Sequence, residues 1–254
     1  MSIADTGQAP PAQALTPAQL LQENSRLQDF AHMACHDLRA PLRAMMSLTE
    51  WITEDLANHF GALPDGIEKD LNELALQGQR MSQFLTDLLA FAVAGQAGHG
   101  RCEAEAELRE AIEFCALPAG FEVVVAPGLP ALAVDPVEFS MVMRNLISNA
   151  VRHHDLQSGQ VQILHQSSEG RCHILVRDDG PGISAEDRPV VFEMFRTIGL
   201  GRGFGIGLGV VRKIVEHYGG RPAVAPNPAG RGTEFSLSFP LVDATGREGS
   251  VPAH

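Results

Sequence analysis

Paired cysteines are missing from this chain. Cys35, Cys102, Cys115 and Cys172 lie far apart and form no CxxC, which excludes a zinc ribbon or disulfide frame and reads as reduced thiols. Positive charge is scarce as well. Against 31 Asp and Glu stand only 19 Lys and Arg, a formal net charge of −12, so the basic footprint of a nucleic-acid binder is absent. No apolar run spans a membrane, because FEVVVAPGLPALAV is broken by Glu122, Pro127 and Pro130. The opening MSIADTGQAPPAQALTPAQ lacks the basic and apolar regions of a signal peptide. These absences predict a soluble, cytoplasmic chain with no direct membrane insertion. There is no internal repeat.

Glycine is plentiful, and six of the eleven residues in GLGRGFGIGLG, residues 199–209, are glycine. Glycine is costly to order, and a strand with glycine along one face has nothing there to pack. The run holds neither a GxGxxG nor a Walker loop. A backbone-lined loop opening the helix LGVVRKIVEHY fits it better, since amides at a helix N-terminus attract anions and glycine lets phosphate approach. A merely floppy loop is the competing reading, and the run alone does not choose.

The length suits one or two domains. Residues 1–18, rich in Ala, Pro and Gln, read as a disordered lead-in. The series Leu20, Leu27, Ala31, Ala34, Leu38, Met45, Leu48 and Ile52 predicts one long helix with an apolar seam. FGALPDG is a turn, and Ile67, Leu71, Leu74, Met81, Leu85, Leu88 and Ala92 mark a second seam. Residues 19–94 therefore predict an antiparallel hairpin whose half-exposed seams pair with a second copy in a four-helix bundle, hence a homodimer. GQAGHG makes residues 95–101 a flexible linker.

Beyond it, residues 102–241 mix helix and strand. Helices are expected at ELREAIEFC, at DPVEFSMVMRNLISNAVRHH with Asp135 as cap and Pro136 in first position, and at LGVVRKIVEHY, closed by Gly219 and Gly220. Strands are expected at FEVVV, ALAV, QVQILHQ, RCHILVRD, RPAVA and TEFSLSF. The fold class is multidomain, a helical hairpin followed by an α+β sandwich, and residues 242–254 read as a disordered tail.

Three more groups bear on chemistry. Asn145, Asn149 and Arg152 share one helix face, where amide oxygens suit a hard cation and arginine suits phosphate; a solvated polar face is the bland alternative. Asp178-Asp179-Gly180-Pro181-Gly182-Ile183 ends a strand. There an acid could accept from an exocyclic amine while Gly180 and Gly182 leave room for a flat ring, although a tight turn explains the same residues. His36 lies off the apolar seam in FAHMACHDLRAPLR and should face solvent. Pro41 denies a donor to the Asp37 carbonyl, which predicts a kink. His32 and His36 as a metal pair lack the glutamate of HExxH.

In this order the segments resemble the sensor histidine kinases of two-component signalling, over about residues 20 to 240. HDLRAPL resembles the phospho-acceptor motif and RMSQFLTDLLAFA the second helix of the dimerisation hairpin. NLISNAVRHH resembles the N box, DDGPGI the first glycine box and VFEMF the F box. GFGIGL resembles the second glycine box, and GRGTEF the closing strand motif. The resemblance implies a gyrase-type ATP-binding α/β sandwich that takes ATP and Mg²⁺. It implies His36 as nucleophile, oriented or deprotonated by Asp37, and Asp178 as reader of the adenine amine, with Gly180 and Gly182 beside it. It implies Gly203, Gly205, Gly207 and Leu208 at the phosphates, Thr233 in the nucleotide pocket, and Asn145, Asn149 and Arg152 handling metal and phosphate. Arginine stands where the family often has lysine, which keeps charge but changes contact geometry.

Further implications follow from the resemblance. Hydrolytic relatives carry a glutamate one turn before the metal asparagine. Here that place is Asn145, no general base, which favours transfer to a histidine over hydrolysis. Phosphate would pass on to the receiver domain of a response regulator. Ala40 stands where many members have Thr or Asn, implying weak dephosphorylation of the regulator. The lid RTIGLGR is short, with mobile Gly199 and Gly201, implying modest ATP affinity or slow autophosphorylation. About 18 residues precede the first helix, too few for a sensor, so the signal arrives through a separate sensor protein or this is a kinase core. A scaffold with a degenerate nucleotide domain is the alternative function. A switch-type Ser/Thr kinase is disfavoured by the histidine hairpin.

Overall fold

The computed structural model describes residues 17–61, 65–197 and 204–242. The lead-in up to residue 16, the tail from residue 243, Gly203, and Gly199 and Gly201 of the lid lie outside the described residues, as do the side chains of Leu20, Leu27, Ala31 and His32.

The hairpin is α1 (Pro17–Phe60) and α2 (Asp65–Val93). The connection between them is too short for any arrangement but antiparallel. Helix α1 starts at Pro17, two residues inside the expected lead-in, because proline at a first helical position forfeits an N–H that has no partner there. It continues through Pro41 as helix on both sides.

The inner face of the hairpin differs from the expected seam. Cys35, Leu42 and Leu85 are buried between the helices, with Met46, Phe84, Leu88 and Leu89 against them. Gly78 makes room, since a Cβ there would come 2.8 Å from Met46 Cγ. Thr49 is buried too and satisfies its hydroxyl on the Met45 carbonyl, 2.9 Å away. Leu38, Met45, Leu48 and Ile52 of the expected seam lie outward, 48–57% exposed, with Trp51 beside them. Helix α1 thus carries two apolar stripes, one spent on its own hairpin and one bare.

The second unit comprises α3 (Ala104–Phe114), β1 (Phe121–Val125), α4 (Pro136–Arg152), β2 (Gly159–Ser168), β3 (Arg171–Asp178), α5 (Gly207–His217), β4 (Ala223–Pro226) and β5 (Thr233–Pro240). The sheet order is β1-β2-β3-β5-β4, with β1 and β2 parallel and the other pairs antiparallel. Alternation in TEFSLSFP turns Thr233, Phe235, Leu237 and Phe239 to the buried side. Phe139, Val142, Met143, Leu146 and Ile147 of α4 and Val210, Val211, Ile214 and Val215 of α5 share that core. The α4 start is capped as expected, Asp135 accepting the Glu138 N–H at 3.1 Å with Pro136 next.

Two expectations change. ALAV forms no strand, and Leu132 alone makes single bridges to Cys102 and Leu241; Pro130 before it and the α4 cap after it leave no length for a ladder. GQAGHG is not a free linker. The buried Glu138 accepts N–H bonds from Gly95 (2.7 Å) and Gln96 (3.2 Å) on Oε1, while Tyr218 donates its hydroxyl to Oε2 at 2.8 Å. His217 donates to the Ala97 carbonyl at 2.9 Å, and Lys213 caps the end of α2 through the Phe91 carbonyl, also at 2.9 Å. The tail, too, is tied at its first residue, Val242 donating to Ala131.

Glu138→Ala should therefore cost on the order of 3 kcal/mol, since it strands the buried Tyr218 hydroxyl and releases the half-buried Gly95 amide. Glu138→Gln, which keeps one acceptor, should cost less. Urea denaturation of both variants measures the difference.

Candidate active site

The first cluster forms where β3 ends and β5 begins. Asp178 is half-buried, and its Oδ1 accepts the N–H groups of Gly180 (3.0 Å) and Thr233 (3.1 Å). Burial pushes its carboxyl pKa up, and those two amides pull it part of the way back. Asn227 holds the same residue from behind, its Nδ2 donating to the Asp178 carbonyl at 2.8 Å. Gly180 is buried with its Cα side turned to the carboxylate, and Gly182 takes a φ of +80° to pass under the Gly232 carbonyl. Thr233 itself is 3% exposed.

A second cluster joins α4 to the start of α5. Asn145 donates from Nδ2 to the Met141 carbonyl one turn back, at 2.9 Å, which fixes the amide with Oδ1 aimed at α5. A Cβ on Gly207 would stand 2.6 Å from that oxygen, so the glycine is what lets the two helices meet there. Gly205 adopts φ +67° and accepts the Phe195 N–H at 2.9 Å, closing the end of the VFEMF segment over the helix entrance. Leu208 packs on the core. Asn149 follows Asn145 one turn along α4, half-buried. An amide oxygen anchored in this way would suit a hard cation, and the backbone amides of the neighbouring helix N-terminus would suit phosphate.

Arg152 shares the Asn149 side of α4, and its charge also acts on Asp87 of α2. Burial pushes the Asp87 carboxyl up, while the Gln83 amide and the Arg152 guanidinium act against it. The hairpin and the α/β unit also meet through Phe84 and Phe204, whose ring centroids are 4.7 Å apart. Phe84 packs on the hairpin core with Cys35 and Leu42 as well as on the core of the second unit.

His36 is on the outside of α1, its side chain 77% exposed, with Nδ1 3.2 Å from Asp37 Oδ1. A carboxylate only accepts, so the contact places the proton on Nδ1 and leaves the Nε2 lone pair toward solvent. The Asp178 and Asn145 clusters lie on the α/β unit, and His36 lies on the hairpin.

Several neighbours were beyond sequence reasoning. Asn227, Gly232 and the pair His154–Asp179 brace the Asp178 turn. The doublets in VRHHD and RDDG were visible, but nothing in the order of residues says that they touch.

Two family models match in tandem. Residues 26–96 match the His Kinase A (phospho-acceptor) domain, and residues 134–243 match the histidine kinase-, DNA gyrase B- and HSP90-like ATPase domain. Adaptive-response sensory kinase SasA of Synechococcus sp. (strain JA-3-3Ab) is 30% identical over 233 residues, covering 85% of this chain and 59% of that protein. Cyanobacterial phytochrome B of Nostoc sp. is 28% identical over 233 residues, covering 87% of this chain and 30% of that protein. Full-length ShkA, crystallised in complex with AMPPNP, superimposes with a TM-score of 0.63 at 25% identity, over 85% of this chain and 47% of that one. The chain thus spans 30% to 59% of the length of these two curated relatives. Among the described residues no helix is long and apolar enough to cross a membrane. With both domain matches in tandem, and relatives aligned across the hairpin and the α/β unit together, this chain belongs to the sensor histidine kinases of two-component signalling.

Proposed function

We propose that the chain is an ATP-dependent protein-histidine kinase that phosphorylates its own His36 and passes the phosphoryl group to an aspartate on a response-regulator receiver domain. The observation that supports this most is the meeting of Phe84 with Phe204. It brings the entrance of α5, three residues before Gly207, against the level of the hairpin core that holds Cys35, next to His36.

In this reading Asp178 accepts the adenine amine, with Thr233 lining the same pocket and Gly180 and Gly182 leaving space for the ring. Gly203, Gly205, Gly207 and Leu208 lead the phosphates to the amides of α5. Asn145 and Asn149 would hold Mg²⁺, which when bound neutralises charge on the phosphates. Arg152, on the same side of α4 as Asn149, would meet a phosphate oxygen. His36 Nε2 attacks the γ-phosphorus in line, forming an N–P bond as the P–O bond to ADP breaks. Asp37 holds the Nδ1 proton and accepts it as the ring turns cationic.

The test is incubation with γ-labelled ATP. Acid-labile, alkali-stable label on the protein supports the reading, whereas acid-stable label, or none despite nucleotide binding, overturns it.

The bare stripe on α1 supports a homodimer, the four-helix bundle in which Leu38, Met45, Leu48, Trp51 and Ile52 face a second hairpin. Leu48→Arg with Ile52→Arg should give a monomer in sedimentation equilibrium at concentrations where the unaltered chain is a dimer. Both sites are outward in the single chain, so helicity by circular dichroism should persist.

A further inference from the structure

We propose that His154 is a positioning residue for purine recognition, setting Asp178 through Asp179; this rests on the reading that Asp178 accepts the adenine amine. His154 follows the last residues of α4 and its side chain is only 2% exposed. A carboxylate only accepts, so Nε2 donates to Asp179 Oδ1 at 3.1 Å, while Nδ1 is held at the Leu156 backbone, 3.0 Å from its nitrogen and 3.3 Å from its carbonyl oxygen. The same Oδ1 accepts the Gln160 N–H at 2.8 Å. The ring stands edge-on to Phe121, centroids 5.3 Å apart at 88°.

The surroundings are cut to this pair. A Cβ on Gly159 would lie 2.7 Å from His154 Nε2 and 3.0 Å from Asp179 Oδ1, so only glycine leaves the space. A Cβ on Gly180 would meet the His154 ring at 3.5 Å and Asp178 Oδ1 at 3.1 Å. The Asp178–Gly180 backbone is therefore gripped from two sides. Thr233 and Asn227 hold Asp178 from the β5 side, and His154 with Gln160 holds Asp179 from the α4 and β2 side. Asp179 is itself about half exposed, and among the described residues His154 and the Gln160 amide are what its carboxylate bonds to. Releasing it frees the peptide that joins it to Asp178, and the Asp178 carboxylate loses its aim. A loss of aim weakens recognition of the amine while leaving contacts to sugar and phosphates in place.

The experiment measures affinities of the full chain for ATP and for purine riboside triphosphate, which lacks the 6-amino group. The unaltered chain should prefer ATP. His154→Phe, which keeps a ring and its edge-on contact with Phe121 but no hydrogen bond, should cut that preference about tenfold, by weakening ATP alone. His154→Gln, with an amide donor at nearly the reach of Nε2, should restore most of it. Asp179→Ala, at a half-exposed site that tolerates change, should reproduce the loss and carries the test if the phenylalanine variant fails to fold. Equal weakening for both nucleotides, or an unchanged preference, overturns the proposal. Asp178→Asn separates the two levels. If it abolishes the preference while the His154 and Asp179 variants leave it intact, the role of His154 falls alone. If it leaves the preference intact, the adenine reading falls and this inference with it.

Discussion

Exchanging His36 for glutamine should reduce acid-labile phosphate on the labelled protein to background. The side chain is 77% exposed, and an exposed helical substitution by a good helix former perturbs stability by no more than about 0.5 kcal/mol. Loss of label would then report lost chemistry and not lost fold, which melting temperature and ATP affinity should confirm by staying unchanged. Glutamine keeps a polar head of similar reach, yet its amide nitrogen has no lone pair to offer phosphorus. Asp37→Asn should have a graded effect. The Nδ1–Oδ1 contact of 3.2 Å selects the tautomer with Nε2 free, and an amide can present its N–H there as readily as its oxygen. A slowing on the order of 100-fold is expected for loss of a positioned proton acceptor. Label retained in His36→Gln at the original level would place the acceptor elsewhere.

The path from sequence to this site was uneven for physical reasons. Strands announced themselves where one face is buried, as in TEFSLSFP, because alternation is forced by the pleat. The α4 start was legible from Asp135-Pro136, two residues whose backbone demands leave few alternatives. His36 could be set on the solvent side because it fell off every apolar stripe of α1. Which stripe faces α2 could not be read, since Cys35, Leu42, Met46 and Thr49 compete with Leu38, Met45, Leu48 and Ile52, and threonine does not look like core until its hydroxyl is returned to a helix carbonyl. GQAGHG has the composition of a loose tether. Its amides are nonetheless fastened by Glu138, more than forty residues on, and composition carries no trace of that. The same holds for His154 and Asp179. Local chemistry reads along the chain, whereas a contact between distant residues exists only once the sheet has set its register.

Gly232→Ala should weaken ATP binding at least about 100-fold. Gly232 adopts φ +108°, strained for any side chain, and a Cβ there would sit 1.9 Å from the Asp178 carbonyl oxygen and 2.9 Å from Asp178 Oδ1. Carbon and oxygen ordinarily meet no closer than about 3.3 Å, so the strands must part by more than an ångström. Neither partner can yield cheaply. The Asp178 carbonyl is held by Asn227 and its carboxylate by the Thr233 amide, and the Gly232 carbonyl is bonded to the Asn227 N–H at 3.1 Å. The displacement therefore falls on the carboxylate proposed to read adenine. Gly230→Ala is the control: its φ of +135° is also strained, but nothing lies within 4 Å of the added carbon. That variant should lose stability, by about 1–3 kcal/mol from backbone strain, and bind ATP within a few-fold of the unaltered chain once folded. Calorimetric titration of both variants decides between clash and strain. Equal affinities for the two would mean that Asp178 is not where the nucleotide is read.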